Sequence, residues 1–219
     1  MKLNLERFIG ASSKNALIPN GYDANLFFPD YSKRPDRLKI LFTGRLVKQK
    51  DPMTFVSAIN NYCQINRNIE VSILGDGPLR KQIEGYISQN KLNDIIKLKG
   101  KISYQEVAEE LQSSHIFVSN SISEGMSISL IEAIACGVYS IITPTSGTKE
   151  LLVSGKNGEF VDFKSPTQIT KAIIDYYDNK FSNNYRLESE FFDSFKKKFS
   201  WQNIVEQYQN LTLSSKIKN

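Results

Sequence analysis

Apolar and polar positions follow one another along this chain in two periods. Short, almost continuously apolar runs rich in Ile, Val, Leu and Phe occupy 38–43, 69–74, 95–98, 115–119, 138–142 and, more weakly, 159–161. Between them, apolar residues recur at helical spacing over 51–64, 78–90, 103–113 and 127–136. Runs that are apolar on both faces and separated by helices are the pattern of parallel strands covered on both sides. Two helix starts are marked by their chemistry as well as by period. Asp51-Pro52 places a capping side chain before a proline at the first helical position. Ser103-x-x-Glu106 reads as a capping box. The pattern predicts an α/β fold with a single doubly wound parallel sheet, followed by a tail that is helical throughout 165–213. In that tail Phe191, Phe192, Phe195 and Phe199 form a stripe beside Lys196, Lys197 and Lys198. The stripe suits a helix docked on its own domain, with a membrane or partner contact as the alternative.

The first 37 residues break this pattern. Ile18-Pro19-Asn20-Gly21 carries turn signals, and Pro29 and Pro35 keep the segment irregular. The expected division is therefore a connector or N-terminal arm over 1–37, a sheet domain over 38–180 and C-terminal helices over 181–219 packing on it.

Composition narrows the chemistry. Of the 219 residues 40% are hydrophobic and 23% charged, the balance of an ordinary soluble domain with room for one full core. The richest apolar stretch, 129–143, is broken by Glu132 and falls short of the ~20 residues of a membrane-spanning helix. Met-Lys-Leu-Asn-Leu-Glu-Arg at the N-terminus has no long apolar region of a signal peptide, so a cytoplasmic location is expected. The net charge of +5 suits a phosphorylated ligand, an anionic membrane surface or nucleic acid. One histidine, His115, and two cysteines, Cys63 and Cys136, build neither a zinc cluster nor a disulfide framework. His115 sits in the run His-Ile-Phe-Val-Ser and is expected to pack in a strand. No metal site is expected, and the chemistry falls to carboxylates, cations and backbone.

In an open parallel sheet, ligands bind beyond the carboxyl ends of the strands. Four segments occupy that rim: Gly44-Arg45-Leu46-Val47-Lys48-Gln49-Lys50, Gly75-Asp76-Gly77-Pro78, Lys99-Gly100-Lys101-Ile102 and Asn120-Ser121-Ile122-Ser123-Glu124-Gly125-Met126-Ser127. Their glycines allow close backbone approach, and Arg45 and Lys50 bring positive charge. The last segment leads into a helix whose first N–H groups favour an anion. Together they describe a diphosphate site; the alternative is a set of plain turns with solvated cations. Glu132 lies on a helix that is apolar around nearly its whole circumference, so its carboxylate is at least half buried and needs partners, such as sugar hydroxyls. Other motifs fail. Gly75-Asp76-Gly77-Pro78-Leu79-Arg80 has Arg80 where a dinucleotide fingerprint has its third glycine, and Gly155-Lys156-Asn157-Gly158 is no phosphate loop. There is no Asp-x-Asp pair, and aromatic residues do not interleave with a basic stripe, so nucleic acid is not an expected partner.

Six segments in order resemble the C-terminal, donor-binding half of the retaining GT-B glycosyltransferases of family 4, over about residues 18–212. They are Ile18-Pro19-Asn20-Gly21-x-Asp23-x-x-x-Phe27; Gly44-Arg45-Leu46-Val47-x-x-Lys50; Gly75-Asp76-Gly77-Pro78; Ser123-Glu124-Gly125-x7-Ala133-x-Ala135-Cys136-Gly137; Glu150 with Gly155-x-x-Gly158; and Ser200-Trp201. Glu124 and Glu132 stand as the family's E-x7-E pair. The resemblance implies a Rossmann-like nucleotide-sugar-binding domain over 38–180. It implies transfer of a hexose-type sugar from a nucleotide-diphosphate sugar to a polysaccharide or lipid-linked acceptor, with retention and without an essential metal or other cofactor. By position, Arg45, Lys50 and Glu124 are the catalytic residues. Arg45 and Lys50 hold the diphosphate, and Gly44 is a further donor-binding residue. Glu124 with Gly125, Met126 and Ser127 holds the sugar and its phosphate, Glu132 the ribose, and Lys101 and Ile102 the base. Arg45 and Lys50 are expected to face Glu124 and Glu132 across the switch point, all four converging on one cavity. Tyr139 and Ser146 depart from residues common in the family, a proline and the first of two glycines. Family members also carry an N-terminal domain that binds the acceptor. It is expected to be separate from this chain, as a partner domain or subunit, with a peripheral contact to the inner membrane face as a further expectation. The alternatives are a non-catalytic nucleotide-sugar-binding module, a truncated remnant, or an epimerase-like enzyme.

Overall fold

The computed structural model describes residues 18–216. Of the expected connector over 1–37, residues 1–17 lie outside that range, as do residues 217–219 of the tail. Six parallel strands form one sheet: β1 (Leu38–Thr43), β2 (Ile69–Leu74), β3 (Ile96–Gly100), β4 (Ile116–Ser119), β5 (Tyr139–Ile142) and β6 (Gly158–Phe160). Their order is β3-β2-β1-β4-β5-β6, with β3 and β6 at the edges. The helices are α1 (Pro52–Cys63), α2 (Arg80–Gln89), α3 (Tyr104–Gln112), α4 (Ile128–Ala135), α5 (Pro166–Tyr176), α6 (Ser189–Phe199) and α7 (Trp201–Lys216).

The two-residue period of the strands decides which face each side chain joins. Leu38, Ile40 and Phe42 of β1, with Ile116 and Val118 of β4, join a core that also takes in Phe55 and Ile59 of α1, Ile83 of α2 and Ile173 of α5. Leu41 and Phe117 point the other way, into a second core with Leu111 of α3, Leu130 and Ile134 of α4, and Phe195 of α6. Both faces are thus covered by helices, and the α/β architecture expected from the apolar runs is the one formed. Both marked helix starts form as well. Asp51 caps α1 by accepting from the Thr54 N–H, and Ser103 and Glu106 complete a capping box on α3.

The tail differs from the expectation of continuous helix. After α5 the chain makes a π turn over Tyr177–Phe181, bends with Asn184 at φ 51°, and resumes helix only at Ser189. Ser200, extended at ψ 144°, then separates α6 from α7. That extended residue bridges to Tyr22: the Tyr22 N–H donates to Phe199 O at 3.0 Å, and the Trp201 N–H to Tyr22 O at 3.0 Å. Tyr22, Phe27, Phe195 and Phe199 are all buried in the second core, so this part of the phenylalanine stripe docks on its own domain. His115, just before β4, is buried, accepts the Lys39 N–H at Nδ1 and stands edge-on to Phe181. Burial lowers its pKa to about 3, so it stays neutral. No helix of the described residues is long and apolar enough to cross a membrane.

Candidate functional site

From β1 the strand order runs outward in both directions, and its neighbours β2 and β4 lead away from a switch point between β1 and β4. Beyond the carboxyl ends of these two central strands, their loops are tied to each other. The Ile122 N–H donates to Gln49 O at 2.8 Å, Gln49 Nε2 to Ser123 O at 2.8 Å, and Asn120 Nδ2 to Asp51 O at 2.6 Å. Lys50 Nζ is ion-paired with Glu124 Oε1, both side chains about four-fifths buried. The second oxygen of Glu124 is buried without a partner. A third loop, after β5, joins this clasp: Ser146 Oγ donates to Glu124 O at 3.2 Å. Gly147 lies so close that a Cβ there would stand 2.0 Å from Gly125 O.

The loops after β1, β2 and β3 are laced together through backbone. The Gly44 N–H donates to Leu74 O, Leu46 N–H to Asp76 O and Gly75 N–H to Gly100 O, all within 3.0 Å. Gly75 has φ +117°, and a Cβ on it would fall 2.1 Å from Gly44 O, so only glycine permits this approach. Exposed Arg45 lines a cavity of about 630 Å3 with Gly75, Asp76, Gly77 and Lys101. Gly75 and Lys101 also line an adjoining cavity of about 300 Å3, which includes Gly44 and Ile102.

Helix α4 carries the remaining candidates. Ser127 caps it, its Oγ accepting the Leu130 N–H, while Asn20 Nδ2 donates to Met126 O at 3.1 Å and so joins the N-terminal segment to this loop. Glu132 is only 5% exposed and accepts a hydrogen bond from the Tyr104 hydroxyl at 2.8 Å. Tyr104 in turn stands edge-on to Phe27 at 4.9 Å.

The structure therefore brings the predicted residues together in three groups. Lys50 meets Glu124. Arg45 and Lys101 share a cavity that adjoins the one lined by Gly44 and Ile102. Glu132 meets Tyr104 and does not line the Arg45 cavity, nor do Lys50 and Glu124. The expectation of four side chains around one cavity is met only as these neighbouring groups. Gln49, Asn120 and Tyr104 were not singled out in the sequence. Gln49 and Asn120 act through backbone acceptors, and Tyr104 carried no signal beyond its place after the Ser103 cap. Among the described residues, no three His, Cys, Asp or Glu side chains gather where a metal ion could be held.

Burial lifts the Glu132 carboxyl from 4.5 to about 7, with the Tyr104 hydrogen bond acting in the opposite direction. A carboxyl whose folded pKa is raised stabilises the fold most below its unfolded pKa, and that contribution is lost as pH rises through 7. Glu132→Gln is accordingly expected to gain melting temperature relative to the parent protein as pH rises from about 4.5 to about 7. A constant difference across that range would exclude the raised carboxyl.

Comparison with known proteins bears on this geometry. Residues 23–190 match the family model of the glycosyl transferases group 1. The phosphatidylinositol N-acetylglucosaminyltransferase gpi3 subunit of Schizosaccharomyces pombe is 27% identical over 203 residues, covering 90% of this chain and 42% of that protein. The chain thus spans less than half the length of that relative. Among solved structures, sucrose-phosphate synthase from Thermosynechococcus elongatus superimposes with a TM-score of 0.84 at 22% identity, over all of this chain and 57% of the other. Anabaena HepE in complex with UDP and glucose gives a TM-score of 0.81 at 18% identity, over 98% of this chain and 60% of the other. At these identities the structural likeness establishes the fold.

Proposed function

The chain belongs to the group 1 glycosyl transferases, and from that premise we propose that it binds the donor in a glycosyltransferase that moves a hexose-type sugar from a nucleotide-diphosphate sugar to a polysaccharide or lipid-linked acceptor, with retention. The carrying observation is the rim of the switch point, where the Arg45 and Lys101 cavity lies beside the clasped 44–51 and 120–127 loops. A diphosphate seated there meets the guanidinium of Arg45, the ammonium of Lys50 and the positive end of α4. Gly125, Met126 and Ser127 present their amides at that helix end, and Glu124 lies beside them to accept from sugar hydroxyls. Glu132, carrying a Tyr104 hydrogen bond, is the acceptor for ribose hydroxyls, and Lys101 and Ile102 flank the base.

In the transfer, the bond from the anomeric carbon to the diphosphate oxygen breaks as the acceptor oxygen bonds to that carbon on the same face. The acceptor proton passes to the departing phosphate oxygen. Arg45 and Lys50 meet the negative charge that grows on the diphosphate, so the reading requires no metal ion or other cofactor. The acceptor-binding half comes from a partner domain or subunit. The fission-yeast relative is itself a subunit, which supports a partnered arrangement. A lipid-linked acceptor places the protein on the cytoplasmic membrane face as a peripheral protein, which the net charge of +5 favours.

Arg45→Ala tests the diphosphate assignment. Loss of one charge-assisted contact is expected to weaken nucleoside diphosphate binding about tenfold while leaving the free nucleoside nearly unchanged, as read by calorimetry at fixed salt. Equal losses for both ligands would remove Arg45 from the diphosphate site. A module that binds nucleotide sugar without catalysis is the second reading, favoured by the ion pair that already occupies both Lys50 and Glu124. It is distinguished by donor binding without turnover when acceptor and partner half are supplied.

A further inference from the structure

At the opposite, amino end of the sheet lies a cavity of about 210 Å3, formed where the chain enters β1 and β4. Two arginines line it, one before β1 and one after the π turn: Arg34 and Arg186. Both guanidinium groups lie over the ring of Tyr31, at 4.5 and 5.2 Å from its centroid. Arg34 donates from its terminal nitrogens to Gly137 O at 2.7 Å and Tyr185 O at 3.4 Å. Its Nε is buried and has no acceptor. Among the described residues no carboxylate lies within 4.0 Å of either arginine, and Asp36, the one acid on the cavity wall, is exposed.

Two cations therefore line one small cavity whose one acid, the exposed Asp36, pairs with neither of them. A buried charge calls for an opposite charge or a full set of hydrogen bonds, and the two carbonyls satisfy only part of Arg34. His115 adds a neutral wall. Its Nδ1 accepts the Lys39 N–H, which leaves its proton on Nε2 as a further donor. The volume falls below the roughly 300–1,000 Å3 of sites for drug-sized ligands, which excludes a nucleotide sugar. Planar guanidinium forks match tetrahedral oxyanions in shape and charge. We propose that this cavity is a second ligand site, on the side of the sheet away from the donor rim, that binds a small soluble phosphate-type oxyanion between Arg34 and Arg186.

The test uses nitrogen-15-labelled protein carrying Arg45→Ala, so that the donor rim contributes little, titrated with inorganic phosphate at constant ionic strength. The Arg34 Nε–H resonance is expected to shift and saturate in the millimolar range. Exposed Arg186, whose replacement leaves the Arg34 contacts to Gly137 and Tyr185 in place, provides the second variant. Arg186→Gln should weaken the phosphate response about tenfold. An Arg34 resonance that stays in place, that responds equally to chloride, or that titrates unchanged in Arg186→Gln would overturn the proposal. Each of these outcomes leaves the donor assignment intact, because that is read at Arg45.

Discussion

Lys50→Ala is expected to lower kcat for sugar transfer about a hundredfold, with a smaller effect on the donor KM. Lys50 carries an ammonium in the clasp between the β1 and β4 loops and is held there by Glu124. Charge on a departing diphosphate grows along the reaction, so a fixed cation contributes more to the transition state than to the bound donor. The substitution has a structural component too. It leaves Glu124 with both oxygens unpartnered, since Oε2 already lacks a partner. The double variant Lys50→Ala with Glu124→Gln separates the two effects. It should recover most of the lost melting temperature while transfer remains at or below the level of Lys50→Ala alone. The assay supplies nucleotide sugar, a lipid-linked acceptor and the partner half. Turnover within a few-fold of the parent protein would show that the leaving group does not depend on Lys50.

Gly75→Ala should cost about 3–4 kcal/mol and lower the melting temperature by about 10 °C. The new methyl group would stand 2.1 Å from Gly44 O at a φ of +117°, so both sterics and backbone conformation oppose it. The obstacle is a carbonyl of the β1 loop and not the mobile end of a side chain. Relief therefore requires separating the loops that frame the Arg45 cavity. Gly85→Ala is the matched control. This glycine is exposed within α2 and has nothing within 4 Å of its Cβ position, so the change should stabilise by about 0.5–1 kcal/mol. A Gly75→Ala protein that melts with its parent would mean that the two loops are not held in contact in solution.

The fold was legible because the two-sided apolar strands leave little freedom. Every run such as 38–43 had to be covered on both faces, and helical spacing filled the four gaps between the first five runs, whereas the gap before 159–161 holds turns and no helix. The small displacements have local causes. β3 reaches Gly100 because a register shift beside Ile73 and Leu74 lets the pairing with β2 continue. The break in the tail was harder to see, since residues 182–188 contain no proline or glycine and only Asn183-Asn184 as a turn signal. Ser200 is stopped by a long-range bridge to Tyr22, a partner invisible to local pattern. At the site, Lys50 and Glu124 could be paired in advance because motif spacing and the switch point place them on facing loops. Tyr104 could not, because its link to Glu132 depends on how α3 and α4 sit side by side in three dimensions.

The two outer strands of the sheet differ in how they end it. β6 is three residues long, and β3 carries Lys97 and Lys99 as exposed side chains. An unpaired strand is a template on which other chains can stack, and short length and lysine are two ways of spoiling it. Both edges of the six described strands are therefore protected against edge-to-edge aggregation, a guard that leaves the loops beyond their carboxyl ends untouched.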